Sequence, residues 1–232
     1  MIDIRIHEDV LGLFPATKVF GLQVKGAAGA ALAGLAALRL DASIAHLRQA
    51  VPTNEALVAL PVIAQWREAY KAMGVKASAY RCSVEALARR AIAGKPLHTG
   101  VAAVDLYNAA SLRHMACLGA YDMRRLADAP LELRFCRPET DRFSPLGGKA
   151  QDMPLRPGLV VYAQQDEVLC WALNHRDSEK TGLRPDSTDI VFMAEAVTPE
   201  QAECARQALD ALRGDARQLG LDASDVQEAA NP

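Results

Sequence analysis

The chain has 232 residues and a net charge of −2, with 50% apolar and 23% charged residues, the composition of a globular protein with a sizeable core. That charge balance excludes a protein that holds nucleic acid by bulk positive charge, though not one with a local basic face. Five widely spaced cysteines, with no CxxC and no Cys/His pair at zinc spacing, exclude a zinc ribbon and, without a signal peptide, argue for reduced thiols in a cytoplasmic protein.

In chain order, Ile2 to Ile6 alternates apolar and charged residues and predicts a short strand. Thr17 to Val24 predicts a second strand. Gly26 to Val51 is helical in composition, although its apolar run stops at Leu38, too short to span a bilayer. After the break at Pro52-Thr53-Asn54, Leu57 to Met73 has helical spacing, with Pro61 in a first turn or at a kink and Trp66 and Tyr70 on one face. Ser83 is expected to cap a helix from Val84 to Ala93, stopped by Gly94 and Pro96. A further helix is expected from Ala103 to Met115, with Asp105 capping its start and a break at Gly119. Leu131 to Cys136, Leu159 to Ala163 and Val168 to Leu173 are strand-like, the last two joined through Gln164 to Glu167. Phe143 to Gly148 and Asn174 to Pro185 read as loops, and Asp189 to Val197 as a final strand. Thr198-Pro-Glu-Gln201 is a capping box that opens a closing helix over 199–219, followed by an acidic tail, 220–232, expected to fray.

Charge is unevenly spread. From Ile63 to Gly100 there are seven basic and two acidic residues, and from Glu195 to Pro232 eight acidic and three basic. The first stretch, with Arg67, Lys71, Arg81, Arg89 and Arg90, is a candidate face for a polyanion. Solvated helix faces would give the same pattern.

No G-x-S-x-G, HExxH, P-loop or Rossmann fingerprint occurs, and neither a metal nor a cofactor is implied. His175 lies in Asn174-His-Arg-Asp-Ser-Glu179, the densest polar loop, where a small-molecule site or an exposed turn would look alike. The stretch Val101 to Asp122 interleaves Asp105, Tyr107, Asn108, Ser111, Arg113 and His114 with apolar residues. Asp105 and Asn108, three apart on a helix, would share one face.

Together, the run Val104 to Asp122, Pro145 to Gly148, Ser178-Glu179 and the strand from Asp189 to Phe192 resemble the B3/4 tRNA-editing domain of the phenylalanyl-tRNA synthetase beta subunit. The resemblance covers 65–197 and is strongest to stand-alone bacterial proteins built from that domain. It implies a single α+β domain over 1–232, a mixed or antiparallel sheet flanked by helices. It also implies that Asn108 matches an editing-site asparagine, that Glu179 matches the glutamate reading the wrong amino acid's side chain, and that Gly147 and Gly148 lie in the corresponding turn. Tyr107 stands where the synthetase domain usually has threonine, Gly119 where it has histidine, and Cys117 where it has proline.

The function so implied is a trans-acting aminoacyl-tRNA deacylase serving translation fidelity, with Asn108 and Glu179 as catalytic candidates. Tyr107, Gly147, Gly148, His175 and Ser178 would bind the amino acid, and the basic stretch tRNA phosphates. No membrane or DNA partner is implied, and the oligomeric state stays open. Alternatives are an inactive tRNA- or amino-acid-binding module, and a binder or hydrolase of a free modified amino acid. The chain is too short for a synthetase.

Overall fold

A computed structural model describes residues 2–229. The elements in order are β1 (Ile4–Ile6), α1 (Glu8–Leu13), β2 (Lys18–Lys25), α2 (Ala30–Ala50), α3 (Asn54–Ala59), α4 (Pro61–Ala72), α5 (Ser83–Ile92), α6 (Ala102–His114), β3 (Leu118–Asp122), β4 (Leu131–Phe135), β5 (Val160–Gln164), β6 (Glu167–Trp171), β7 (Arg176–Asp177), β8 (Ile190–Ala196), α7 (Pro199–Gln218), β9 (Asp222–Ala223) and β10 (Gln227–Glu228).

They build two sheets. The first has the order β1-β4-β5-β6-β7, parallel only between β1 and β4. The second, β10-β2-β8-β3, is antiparallel, with β9 also on β2. Side chains alternate across a strand, so β8 serves two cores at once. Ile190, Phe192 and Ala194 join α2, α6 and α7 on one face, while Val191 and Met193 join α4, α5 and the first sheet on the other. Glu195 has the parity of Val191 and Met193 and is 4% exposed. A carboxyl group therefore faces the gap between the sheets. The α+β expectation with mixed and antiparallel sheets holds.

Local chemistry explains most boundaries. Leu60 precedes proline and is extended (φ −63°, ψ 130°), which splits the expected 57–73 helix in two. Thr53 caps α3, and Pro61 opens α4. Thr198 Oγ1 accepts from the Gln201 amide, as the capping box predicts, but the Gln201 side chain reaches Val197 N rather than the cap residue.

Several expectations need correction. Ser83 is the first residue of α5, not its cap, which is Cys82. Asp105 does not cap α6: its Oδ1 accepts from Thr99 N (2.8 Å) and Thr99 Oγ1 (2.7 Å), tying the preceding loop to the helix. The segment after α6 is a strand, β3, because Gly119 pairs with Met193 rather than turning the chain. Helix α1 was not expected. By length and composition α2 is sufficient to cross a bilayer, contrary to the shorter apolar run anticipated. In the fold its Leu32, Ala36, Leu40 and Leu47 are buried, and the helix packs on α6. The acidic tail is not frayed over 220–229. It returns to β2, with Asp225 bonded to Arg213 and Arg217, and Glu228 to Lys18 and Arg206. Residues 230–232 lie outside the described residues.

Candidate functional site

A cavity of about 350 Å³ opens between the sheets under α5 and α6, within the size range of small-molecule sites. Sheet two contributes Gly119, Tyr121, Met193 and Glu195. Sheet one contributes Tyr162, Cys170, Arg176 and Asp177. Ser83 and Arg90 enter from α5, and Tyr107, Asn108 and Ser111 from α6, with Leu146, Asn174 and His175 contributed by loops.

The deepest polar feature is a chain of hydrogen bonds through Glu195. Tyr70 donates to Asn174 Oδ1 (3.0 Å), and Asn174 Nδ2 donates to Glu195 Oε1 (2.7 Å). Tyr162 donates to Glu195 Oε2 (3.2 Å). These donors favour the carboxylate, yet burial outweighs them and pushes the Glu195 carboxyl up to about 8. Burial likewise raises Asp177 to about 6, against the opposing influence of Cys170 and Arg176. The cavity thus holds two carboxyl groups that change state on either side of neutrality. Burial raises the Cys170 thiol well above its ordinary value, so it stays a thiol.

His175 Nδ1 lies 2.8 Å from the Arg81 carbonyl, which can only accept. The ring is therefore the Nδ1–H tautomer with Nε2 as acceptor, and burial lowers its proton affinity. The Ser83 hydroxyl is buried without a hydrogen-bond partner among the described residues, and its residue lines the cavity. An orphaned donor there favours a polar ligand. Among the described residues no group of three or more His, Cys, Asp or Glu is placed to hold a metal.

Of the residues singled out from sequence, Tyr107, Asn108, His175 and Arg90 meet at this cavity. Asp105 and Asn108 do not share a site, since Asp105 is turned to Thr99. Glu179 is exposed and does not line the cavity; its amide donates to Ser144 O (2.8 Å). The chain has turned outward there, because Pro145 pairs with Ser178 and Leu146 N bonds Asp177 O (2.8 Å). Ser178 is fully buried, its Oγ accepting from Lys180 N (3.2 Å), also outside the cavity. Gly147 and Gly148 are exposed at the loop tip, and Leu146 is the residue of that loop at the rim.

The basic stretch is largely self-neutralised. Glu85, 0% exposed, accepts from Arg67 (2.6 and 3.0 Å) and Arg89 (2.8 Å), with Arg81 at 3.7 Å. Burial alone would raise the Glu85 carboxyl, but the two bonded guanidinium groups outweigh it and hold it low. Lys71 is exposed, 3.8 Å from Glu68, and Arg90 donates to Pro96 O (2.7 Å). Replacing Glu85 with Gln should lower the unfolding free energy by about 1–3 kcal/mol at pH 7. Because the folded carboxyl is depressed, that contribution is full above the unfolded value of 4.5 and disappears as pH falls through the folded one. Thermal melts from pH 7 to pH 3 should therefore converge for the two proteins, and equal stability at neutral pH would refute the cluster's role.

Glu195, Asp177, Tyr162 and Asn174 were not singled out from sequence. One signal was available: a single glutamate inside the otherwise apolar run 190–197 of the expected 189–197 strand.

A family model described as the B3/4 domain matches residues 65–231. No curated protein sequence matches the chain. Among solved structures, an N-terminal fragment of the phenylalanyl-tRNA synthetase beta subunit from Pyrococcus horikoshii aligns at 12% identity and a TM-score of 0.46. The alignment covers 99% of this chain and 54% of that one, so the chain spans about half its length.

Proposed function

The chain belongs to the B3/4 domain family, and from that premise we propose that the cavity hydrolyses the ester joining an amino acid to tRNA, making this a trans-acting aminoacyl-tRNA deacylase. The observation that carries the reading is the pairing of Asn108 with two enclosed carboxyl groups in one cavity. An aminoacyl ester is already activated, so a positioned water and donors toward the developing oxyanion are sufficient, with no covalent nucleophile.

In this reading Asn108 holds the ester. Glu195 replaces Glu179 as the glutamate that meets the amino acid, because only Glu195 reaches the cavity. Held between Asn174 and Tyr162, it presents a fixed polar group at the inner wall and rejects side chains that leave it unpaired. His175 Nε2 accepts from the substrate's ammonium. At the rim, Arg90 and Arg176 face the terminal nucleotide's phosphate.

Asn108→Ala should reduce deacylation of the preferred substrate by about 10- to 100-fold while the fold is kept. Initial rates over a full panel of aminoacyl-tRNAs, corrected for spontaneous hydrolysis, make the test. An Asn108 variant as fast as the parent would remove the residue from the site, and a parent that hydrolyses no member of the panel would end the enzyme reading.

One observation favours a second reading, a site for a free amino acid derivative. Three of the five side chains expected to meet phosphate, Arg67, Arg81 and Arg89, already surround Glu85. A tRNA affinity that does not fall with added salt would support it, since phosphate contacts release counterions.

A further inference from the structure

Asp177 is a wall residue of the cavity, and no side chain of the strand opposite, β3, stands between its carboxyl oxygens and that strand's backbone at Gly119. A Cβ built there would lie 3.8 and 3.9 Å from the two Asp177 oxygens, with no other heavy atom within 4 Å. Gly119 is not among the residues with a left-handed backbone, so any L residue could adopt its conformation. Glycine weakens a strand interior, and its presence there marks close approach by another group. The glycine serves space, and the space lies against a carboxylate.

We propose that Asp177 is the general base of this site, taking a proton from a water seated in the gap beside Gly119; the assignment rests on the cavity being an ester-hydrolysing site. As the water oxygen bonds to the ester carbonyl carbon, one of its protons passes to the Asp177 carboxylate. The tetrahedral oxyanion then re-forms the carbonyl and breaks the bond to the ribose oxygen, which takes the proton back from Asp177. One water is consumed, and a free amino acid and a tRNA with a free terminal hydroxyl are released.

The groups around Asp177 suit that role. Cys170 from β6, Tyr107 from α6, Tyr121 from β3, Glu195 from β8 and neighbouring Arg176 are the titratable or charged groups that face it. Burial raises both tyrosines and Cys170, so they stay protonated at neutral pH. Asp177, near 6, is mostly ionised at pH 7, whereas Glu195, near 8, is mostly protonated. Two carboxyl groups pushed to opposite sides of the working pH divide into a base and a neutral partner.

The test uses the full chain with the aminoacyl-tRNA that the parent hydrolyses fastest, following kcat and KM from pH 5 to pH 9. The parent's kcat should fall below an acid limb near pH 6. Asp177→Asn, nearly isosteric, should lower kcat by about 100-fold with KM unchanged and should lose that limb. Gly119→Ala places a methyl against both oxygens without a clash; it should lower kcat while keeping the limb, and it carries the test if Asp177→Asn does not fold. A parental kcat and limb in Asp177→Asn would overturn the base assignment while leaving the deacylase reading intact. A raised KM with kcat preserved would overturn it too, making Asp177 a substrate-binding residue. If the parent hydrolyses no aminoacyl-tRNA, the deacylase reading falls and the role of Asp177 with it.

Discussion

Arg134→Ala is expected to lower the unfolding free energy by about 3–5 kcal/mol, the range for breaking one side of a buried ion pair. Arg134 and Asp141 are 1% and 0% exposed, joined by two parallel bonds of 2.7 and 2.9 Å. The guanidinium also donates to the Phe135 and Gln165 carbonyls (3.0 and 2.8 Å), and the Arg137 amide donates to Asp141 (2.7 Å). Alanine would leave the Asp141 carboxylate buried with one backbone amide and orphan two carbonyls. Burial alone would raise Asp141, but the guanidinium outweighs it and holds the carboxyl low. Denaturant unfolding of Arg134→Ala, Asp141→Ala and the double variant makes the measurement. The double should lose less than the sum of the singles, because neither leaves a partner behind in it. Additive losses would mean that the pair does not act as a unit.

The second large effect concerns Glu195 and has the opposite sense with pH. Its folded value, about 8, lies above its ordinary 4.5. Between those values the folded state holds a proton that the unfolded chain has released, so stability falls as pH rises, by up to about 1.4 kcal/mol per unit. The loss begins near pH 4.5 and ends once the folded group ionises. Glu195→Gln keeps the shape: its amide oxygen can accept from Asn174, and its NH2 can donate to the Tyr162 oxygen. Titration of this group is removed, so the variant should keep only the slope that Asp177 contributes below about pH 6 and should exceed the parent's stability increasingly toward pH 8. Parallel stability curves from pH 5 to pH 8.5 would show instead that the parent's carboxyl is ionised throughout. In the deacylation assay the same substitution keeps a neutral hydrogen-bonding group, so it should alter amino-acid preference more than kcat.

The helices were legible because their signals are local. Thr198 with Gln201, Pro61 in a first turn and the stop at Gly94 all act within one or two turns, and the structure keeps them. The site was only half legible. Asn108 and Tyr107 belong to a run of polar residues interleaved with apolar ones, and both reach the cavity. Glu179 was matched to the family's glutamate by the resemblance, but the pairing of Pro145 with Ser178 turns it outward two residues beyond Asp177. No local pattern distinguishes those two acids. The burial of Arg134 has no local signal either: alternation in Leu131 to Cys136 puts it with Glu132 on the face opposite Leu131 and Leu133. The loop carrying Asp141 folds over it. Gly119 read as a break because glycine usually punctuates, whereas here it makes room.

The pairing of β2 with β8 has a consequence for how the molecule forms. Lys18 to Val24 meets Ala196 to Ile190, and its opposite edge meets residues 222–228. During synthesis the apolar segment Val19 to Val24 leaves the ribosome long before either neighbour exists, so both of its hydrogen-bonding edges stay open while most of the chain is made. Contacts so distant in sequence form slowly, and unpaired strand edges invite association with other chains. Shielding of that segment by a chaperone is therefore expected until residues 190–228 are available, and refolding yield should drop steeply with protein concentration.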